Sequence, residues 1–188
     1  LLLGLLAAVS SEKLDTRVLG EKDLPNGLTV LGSIVSDKDA SQPSAWHSSE
    51  GAALLPQAFS RIQANLRFAS VDKPITRLLV TSAVPGEGKS TVAVGLALSF
   101  AESGARTILV DADMRRPRVE HYLDLEGAVG LSDVLVGSVT WQEVVQEWGD
   151  EGLRVLPAGS KPPNSTLMLQ SHAMADFLDQ LAESFDVL

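Results

Sequence analysis

Residues 83 to 90 read Ala-Val-Pro-Gly-Glu-Gly-Lys-Ser. They match the phosphate-loop pattern G-x-x-x-x-G-K-[ST] at every position but the first, where Ala83 stands for glycine. Gly86 and Gly88 let backbone N–H groups turn inward and come close to phosphate oxygens. Lys89 brings a point charge to β- and γ-phosphates, and Ser90 offers a hydroxyl to Mg²⁺. The expected ligand is a nucleoside triphosphate with magnesium, ATP in the first place. Its contact residues would be Pro85, Gly86, Glu87, Gly88, Lys89, Ser90 and Thr91. Two carboxylates follow in Ile108-Leu109-Val110-Asp111-Ala112-Asp113. One could hold Mg²⁺ through water, and one could take a proton from an attacking hydroxyl. On this reading Lys89, Asp111 and Asp113 are catalytic, Ser90 and Asp111 serve the metal, and the carboxylates contribute nothing to apo stability, since adjacent like charges seldom stabilise a fold. Three arginines, Arg115, Arg116 and Arg118, come directly after. They fit charge stabilisation of a transferring phosphoryl group or a subunit contact, and equally a solvated loop.

The loop needs a strand before it and a helix after it. Arg77 to Ser82 supplies a strand pattern and Lys89 to Ser103 a helical one, whose open N-terminal amides face the same anion. Gly104 lies where a helix C-cap belongs. Thr107 to Ala112 reads as the strand that delivers Asp111 and Asp113 to its C-terminal end, where ligands of open α/β sheets sit. Before the loop, Phe59, Ile62 and Leu66 recur at helical spacing from Pro56 to about Ala69. After it, helices are expected at Leu131 to Val136 and Trp141 to Trp148, and a strand at Leu153 to Pro157. A short helical turn at Ser165 to Leu169, a helix at Ser171 to Ser184 and a strand from Phe185 complete the series. Strands alternating with helices predict an α/β fold, a P-loop NTPase with a mostly parallel sheet flanked by helices.

Of the 188 residues, 45% are hydrophobic, the formal net charge is −9 and cysteine is absent. The acidic balance excludes a general nucleic-acid binder, and the missing cysteines exclude disulfides and thiolate metal sites. Leu1 to Val9 form an apolar run too short to span a bilayer, which takes roughly 20 residues. It reads either as a buried helix start or as the last turns of a transmembrane helix, with Lys13 and Arg17 suiting a cytoplasmic exit. Both ends of the sequence look cut. The expected organisation is residues 1–10 as the end of a transmembrane helix, 11–53 as juxtamembrane segment and linker, and 54–188 as the N-terminal part of the nucleotide-binding domain. Leu28 to Val35 is β-like. Ser36 to Gly51 has a linker composition, in which Trp46 and His47 read as an exposed pair.

Pro85-Gly86-Glu87-Gly88-Lys89-Ser90-Thr91 followed by Val110-Asp111-Ala112-Asp113-Met114-Arg115-Arg116-Pro117 resembles the bacterial tyrosine kinases (BY-kinases). These are cytoplasmic kinase domains of capsule and exopolysaccharide chain-length proteins. Gly130-Leu131-Ser132-Asp133-Val134-Leu135, Leu156-Pro157-Ala158-Gly159 and Pro162-Pro163-Asn164 carry the resemblance on from about Leu54 to the end. The first 35 residues look like the tail of the second membrane helix and the juxtamembrane segment of the fused form. The resemblance implies an ATP- and Mg²⁺-dependent tyrosine autokinase that regulates polysaccharide synthesis and export. It also implies placement at the inner membrane with the nucleotide-binding domain in the cytoplasm. The implied partners are a homo-oligomer through the kinase domain, an own or neighbouring tyrosine tail, and the polysaccharide polymerisation and export machinery. Asp111 and Asp113 would be the second Walker motif's pair, for metal and tyrosine activation.

Three positions depart from that family. Its next motif, an apolar strand ending in Asp, would begin at Phe185-Asp186-Val187-Leu188 and is cut before the aspartate. The tyrosine-rich tail is missing, Tyr122 being the only tyrosine. The Glu-x-x-Arg-x-x-Arg helix that docks the neighbouring protomer is represented by Gln57, Ser60 and Gln63, which leaves ring assembly open. These 188 residues alone are therefore expected to be a poor kinase. Two other readings stay open: a partition-type P-loop ATPase, whose extra loop lysine would stand at Val84, and a nucleotide-responsive scaffold that transfers no phosphate.

Overall fold

The computed structural model describes residues 27–35, 43, 46, 54–150 and 152–188. The chain divides into two compact units, Leu1–Leu31 and Gly32–Leu188. The expected membrane-helix end and most of residues 11–53 lie outside the described residues. Residues 28–35, expected to be β-like, form no strand.

Helix α1 (Leu54–Ala69) carries Pro56 in its first turn and buries Phe59, Ile62 and Leu66, as the spacing predicts. It lies along α2 (Lys89–Glu102), with Gly95 at the contact, where an added Cβ would stand 2.2 Å from the Phe59 ring. Trp46 is not exposed: it is 2% accessible and stacks on Phe59 at 5.3 Å. An indole gains more from apolar burial than the surrounding linker composition suggests. Gln63 is buried as well. It accepts from Ser99 Oγ at 2.9 Å and donates to Ser103 Oγ at 3.0 Å, so it ties α1 to α2, while Gln57 and Ser60 stay exposed. Helix α2 ends as its sequence implies. Gly104, at φ 85°, donates to Ala101 O, and Ala105 donates to Phe100 O, the paired bonds of a Schellman cap.

Strand β1 (Ile108–Val110) pairs in parallel with β3 (Leu153–Leu156), matching Ile108 with Arg154 and Val110 with Leu156. The segment expected as one helix from Trp141 to Trp148 splits. Only α5 (Trp141–Val144) is helical, and β2 (Gln146–Trp148) runs antiparallel to β3. Gly149 and Gly152, at φ 72° and 73°, permit the tight turn that folds β2 back, and pairing with β3 outweighs the weak helical pattern. The sheet, in order β1-β3-β2, is therefore mixed. On the free flank of β1, Thr107 bridges Val187 in parallel. Leu188 in turn accepts from Leu78 N and donates to Thr76 O, both at 2.8 Å. The Leu78 bond is the only backbone pairing among the described residues for the segment Arg77 to Ser82, which forms no strand.

Short helices α3 (Val119–Leu123), α4 (Leu131–Leu135) and α6 (Ser165–Leu169) and the longer α7 (His172–Ser184) flank this sheet. Ile108, Met114, Leu131, Leu156, Ala158, Phe177 and Leu181 form one buried cluster between β1, β3, α4 and α7. Around it, Gly130 and Gly159 let two loops touch. A Cβ on Gly130 would fall 2.2 Å from Pro157 O. Asp133 closes that junction, accepting from Gly130 N, Ser160 N and Ser160 Oγ.

Candidate nucleotide site

The phosphate loop joins the end of the 77–82 segment to α2. Gly86 and Gly88 sit at φ 88° and 86°, left-handed values that side chains disfavour, so the glycines are where the backbone needs them. Gly88 is also the N-cap of α2 and supplies no side chain to satisfy the first helical amides. Those amides and the positive end of the helix dipole are left for an anion.

Lys89, Ser90, Asp111 and Asp113 line one cavity of about 640 Å³, together with Arg115, Thr166, Leu79, Leu96 and Met174. The sequence thus brings its predicted chemical groups together. Lys89 Nζ lies 3.0 Å from Asp113 Oδ2. Asp113 Oδ1 accepts from Arg116 N at 3.1 Å. Partial burial pushes the Asp113 carboxyl up, but the Lys89 hydrogen bond and charge and the N–H groups of Arg116 and Arg115 together hold it below its ordinary value. Asp113 is thus an anion paired with the loop lysine.

Asp111 has a second job. It is 5% exposed, and both its oxygens are taken by backbone donors. Oδ1 accepts from Asp113 N at 3.0 Å, and Oδ2 accepts from Arg118 N and Val119 N, both at 3.2 Å. The carboxylate therefore fastens the turn after β1 to the start of α3. These bonds count against the expectation that Asp111 leaves apo stability untouched, because backbone N–H groups, not the neighbouring carboxylate, dominate its surroundings. Sequence reasoning missed this because the donors lie seven and eight residues downstream, with no motif marking them.

The arginine cluster divides. Arg115 reaches α6, donating to Ser165 Oγ at 3.3 Å and Thr166 Oγ1 at 3.0 Å, while Arg116 and Arg118 are exposed and serve Asp113 and Asp111 through their backbone N–H groups. Thr91 Oγ1 donates to Tyr122 Oη at 3.3 Å, which places the single tyrosine beside the phosphate loop. Glu87, expected among the phosphate contacts, turns its carboxylate onto the loop's own Ala83 N and Val84 N.

A lysine, a hydroxyl and carboxylates on one cavity, next in sequence to a loop with two left-handed glycines, are a donor set that fits a nucleoside triphosphate with a divalent cation. Among the described residues no group of three or more His, Asp or Glu side chains could hold a metal. Magnesium suits such a site, since it is commonly held by one or two carboxylates together with substrate phosphates.

Comparison with known proteins agrees with this geometry. The ParA family profile, described as the NUBPL iron-transfer P-loop NTPase, matches residues 75–181. The tyrosine-protein kinase YwqD of Bacillus subtilis is 37% identical over 139 residues, which are 74% of this chain and 59% of YwqD. The chain thus spans about three fifths of the length of that relative. The crystal structure of the chimerical protein CapA2B2 superposes with a TM-score of 0.76 at 33% identity, covering 86% of this chain and 69% of that one. The kinase domain of the Escherichia coli tyrosine kinase ETK gives a TM-score of 0.66 at 29% identity, over 70% of this chain and 52% of ETK's. By loop, carboxylate pair and fold, the chain belongs to the bacterial tyrosine kinase family of P-loop NTPases.

Proposed function

We propose that this chain is the nucleotide-binding part of an ATP- and Mg²⁺-dependent protein-tyrosine autokinase that regulates capsular or exopolysaccharide synthesis and export. The observation that carries the reading is the placement of Lys89, Ser90, Asp111 and Asp113 on one cavity. The tyrosine-kinase names of its relatives support tyrosine as the acceptor.

Bound Mg·ATP would supply the transferable phosphoryl group and most of the charge neutralisation. Gly86, Gly88 and the first amides of α2 cradle its phosphates, with Pro85, Glu87 and Thr91 completing the loop. Lys89, paired with Asp113 here, would bind phosphate oxygens of the nucleotide. Ser90 and Asp111 would hold the metal, the Asp111 oxygens also accepting from backbone donors. Asp113 Oδ2, released from Lys89, accepts the tyrosine proton. A phenol of pKa about 10 needs such a base at neutral pH.

The proposed setting is the cytoplasmic face of the inner membrane, with residues 1–10 ending a membrane helix and residues 11–53 linking it to the domain. Among the described residues no helix is long and apolar enough to cross a membrane. The proposed partners are further copies of the chain through the kinase domain, an own or neighbouring tyrosine tail, and the polysaccharide polymerisation and export machinery. Val84 occupies the position where partition ATPases of the deviant-loop type carry their extra lysine, which counts against that reading.

Calorimetry with Mg·ATP on the full-length protein tests the site. Lys89→Ala is expected to abolish binding. Its melting point should hardly move, because a half-exposed ion pair contributes about 0–1 kcal/mol. Unchanged affinity in the variant would refute the assignment.

A further inference from the structure

We propose that Glu87 is a positioning residue of the phosphate loop: its carboxylate staples the loop into its cradle shape through Ala83 N and Val84 N. The inference rests on the nucleotide-site reading of the loop. Glu87 Oε2 accepts from Ala83 N at 2.9 Å and from Val84 N at 3.1 Å, so one oxygen closes a ring back across four residues. From the preceding segment, Ser82 Oγ donates to Val84 O at 3.2 Å and pins the same residue from its carbonyl side. Pro85 fixes the next φ and brings no N–H that would need a partner.

Little else holds this loop. Residues 83–88 belong to no helix or strand. A Cβ built on Gly86 or Gly88 would meet no atom within 4 Å, so no neighbouring element packs against the loop at either glycine. Two left-handed glycines in an unpacked segment carry a large conformational freedom that binding must remove. Internal bonds to a charged acceptor are the means available here, and charge-assisted bonds are the stronger kind.

The staple also accounts for a carboxylate in a loop that must receive a polyphosphate. As a bare charge Glu87 would repel the ligand, and its removal would tighten binding. As a staple it orders the loop beforehand, and its removal weakens binding, because ordering is then charged against the affinity. The two roles predict opposite signs.

Calorimetry with Mg·ADP, which has no transferable γ-phosphate, distinguishes them in the full-length protein. Wild type, Glu87→Ala, Glu87→Gln and Lys89→Ala are compared, with apo melting recorded for each. Glu87→Ala is expected to weaken Mg·ADP by about 3- to 10-fold, the discounted loss of ordering at an exposed site. Glu87→Gln should recover at least half of that loss on a logarithmic scale, since its amide oxygen can accept from the same two N–H groups. Equal or tighter binding in Glu87→Ala would overturn the proposal, as would a Glu87→Gln variant as weak as the alanine. If Lys89→Ala too binds like wild type, the nucleotide reading itself falls and the staple with it. Loss on Lys89→Ala alone would leave that reading standing and overturn only the staple.

Discussion

Replacing Asp111 by asparagine should unfold the apo protein at a markedly lower temperature, in contrast to the same change at Asp113. The Asp111 side chain is 5% exposed and receives three backbone N–H groups on two oxygens. Asparagine keeps one oxygen. If that oxygen faces Arg118 N and Val119 N, the amide NH₂ faces Asp113 N, where one bond is lost and two donors meet. The opposite orientation loses two. A hydrogen bond to a charged group contributes about 1.5–3 kcal/mol, so the change should cost about 2–4 kcal/mol after the remaining bonds weaken and the repulsion from Asp113 is relieved. For a chain of this size each kcal/mol moves Tm by about 2–4 °C, which predicts a drop of about 4–16 °C. Asp113→Asn removes a half-exposed pairing with Lys89, where about 0–1 kcal/mol is expected. The assay is thermal unfolding followed by circular dichroism, without nucleotide or metal, on both variants. An Asp111→Asn protein melting within about 1 °C of wild type would refute the clamp, since a buried carboxylate cannot lose such donors at no cost. A larger drop for Asp113→Asn than for Asp111→Asn would refute the ranking.

Gly95→Ala should lower the urea midpoint by the equivalent of about 1–3 kcal/mol, because the new methyl meets a Phe59 ring that Trp46 backs and that has nowhere to move. Acid should weaken the fold through Asp133. Burial raises its carboxyl, but the N–H of Gly130 and the N–H and hydroxyl of Ser160, with Ser132, hold it below the ordinary value. A carboxyl depressed in the folded state stabilises above its unfolded pKa of about 3.9 and loses that contribution as pH falls through the folded value. Urea midpoints taken from pH 7 to pH 2.5 should therefore fall most steeply below about pH 4, and Asp133→Asn should be less stable at pH 7 with a flatter acid limb.

Residues close in sequence were the readable ones. The loop, its helix and the strand bearing Asp111 and Asp113 follow from one another within 31 residues, because glycine placement, helix capping and apolar runs are local signals. Gly104 even announces the cap that the backbone forms. What escaped depends on distant contacts. The fold-back of Gln146–Trp148 onto β3 is decided by a neighbouring strand, not by the residues' own weak helical pattern. Trp46 lies in a polar stretch, and only the presence of Phe59 makes it part of the core. Arg77 to Ser82 has strand composition, yet its pairing reaches only as far as Leu188 offers a partner. At the site the residue types were legible and their division of labour was not. Nothing in Val-Asp-Ala-Asp tells that the first aspartate clamps backbone while the second meets the lysine.

Whether this site transfers phosphate from ATP to tyrosine is read from the fate of a labelled γ-phosphate. The full-length protein is incubated with Mg²⁺ and γ-³²P-labelled ATP, and phosphotyrosine in the protein is measured beside released inorganic phosphate. The account predicts label in phosphotyrosine, abolished by Lys89→Ala and reduced by about 10²- to 10⁴-fold in Asp113→Asn, the range general-base help provides. Steady release of inorganic phosphate with no label on tyrosine would contradict it and mark the protein as an ATPase of the partition type.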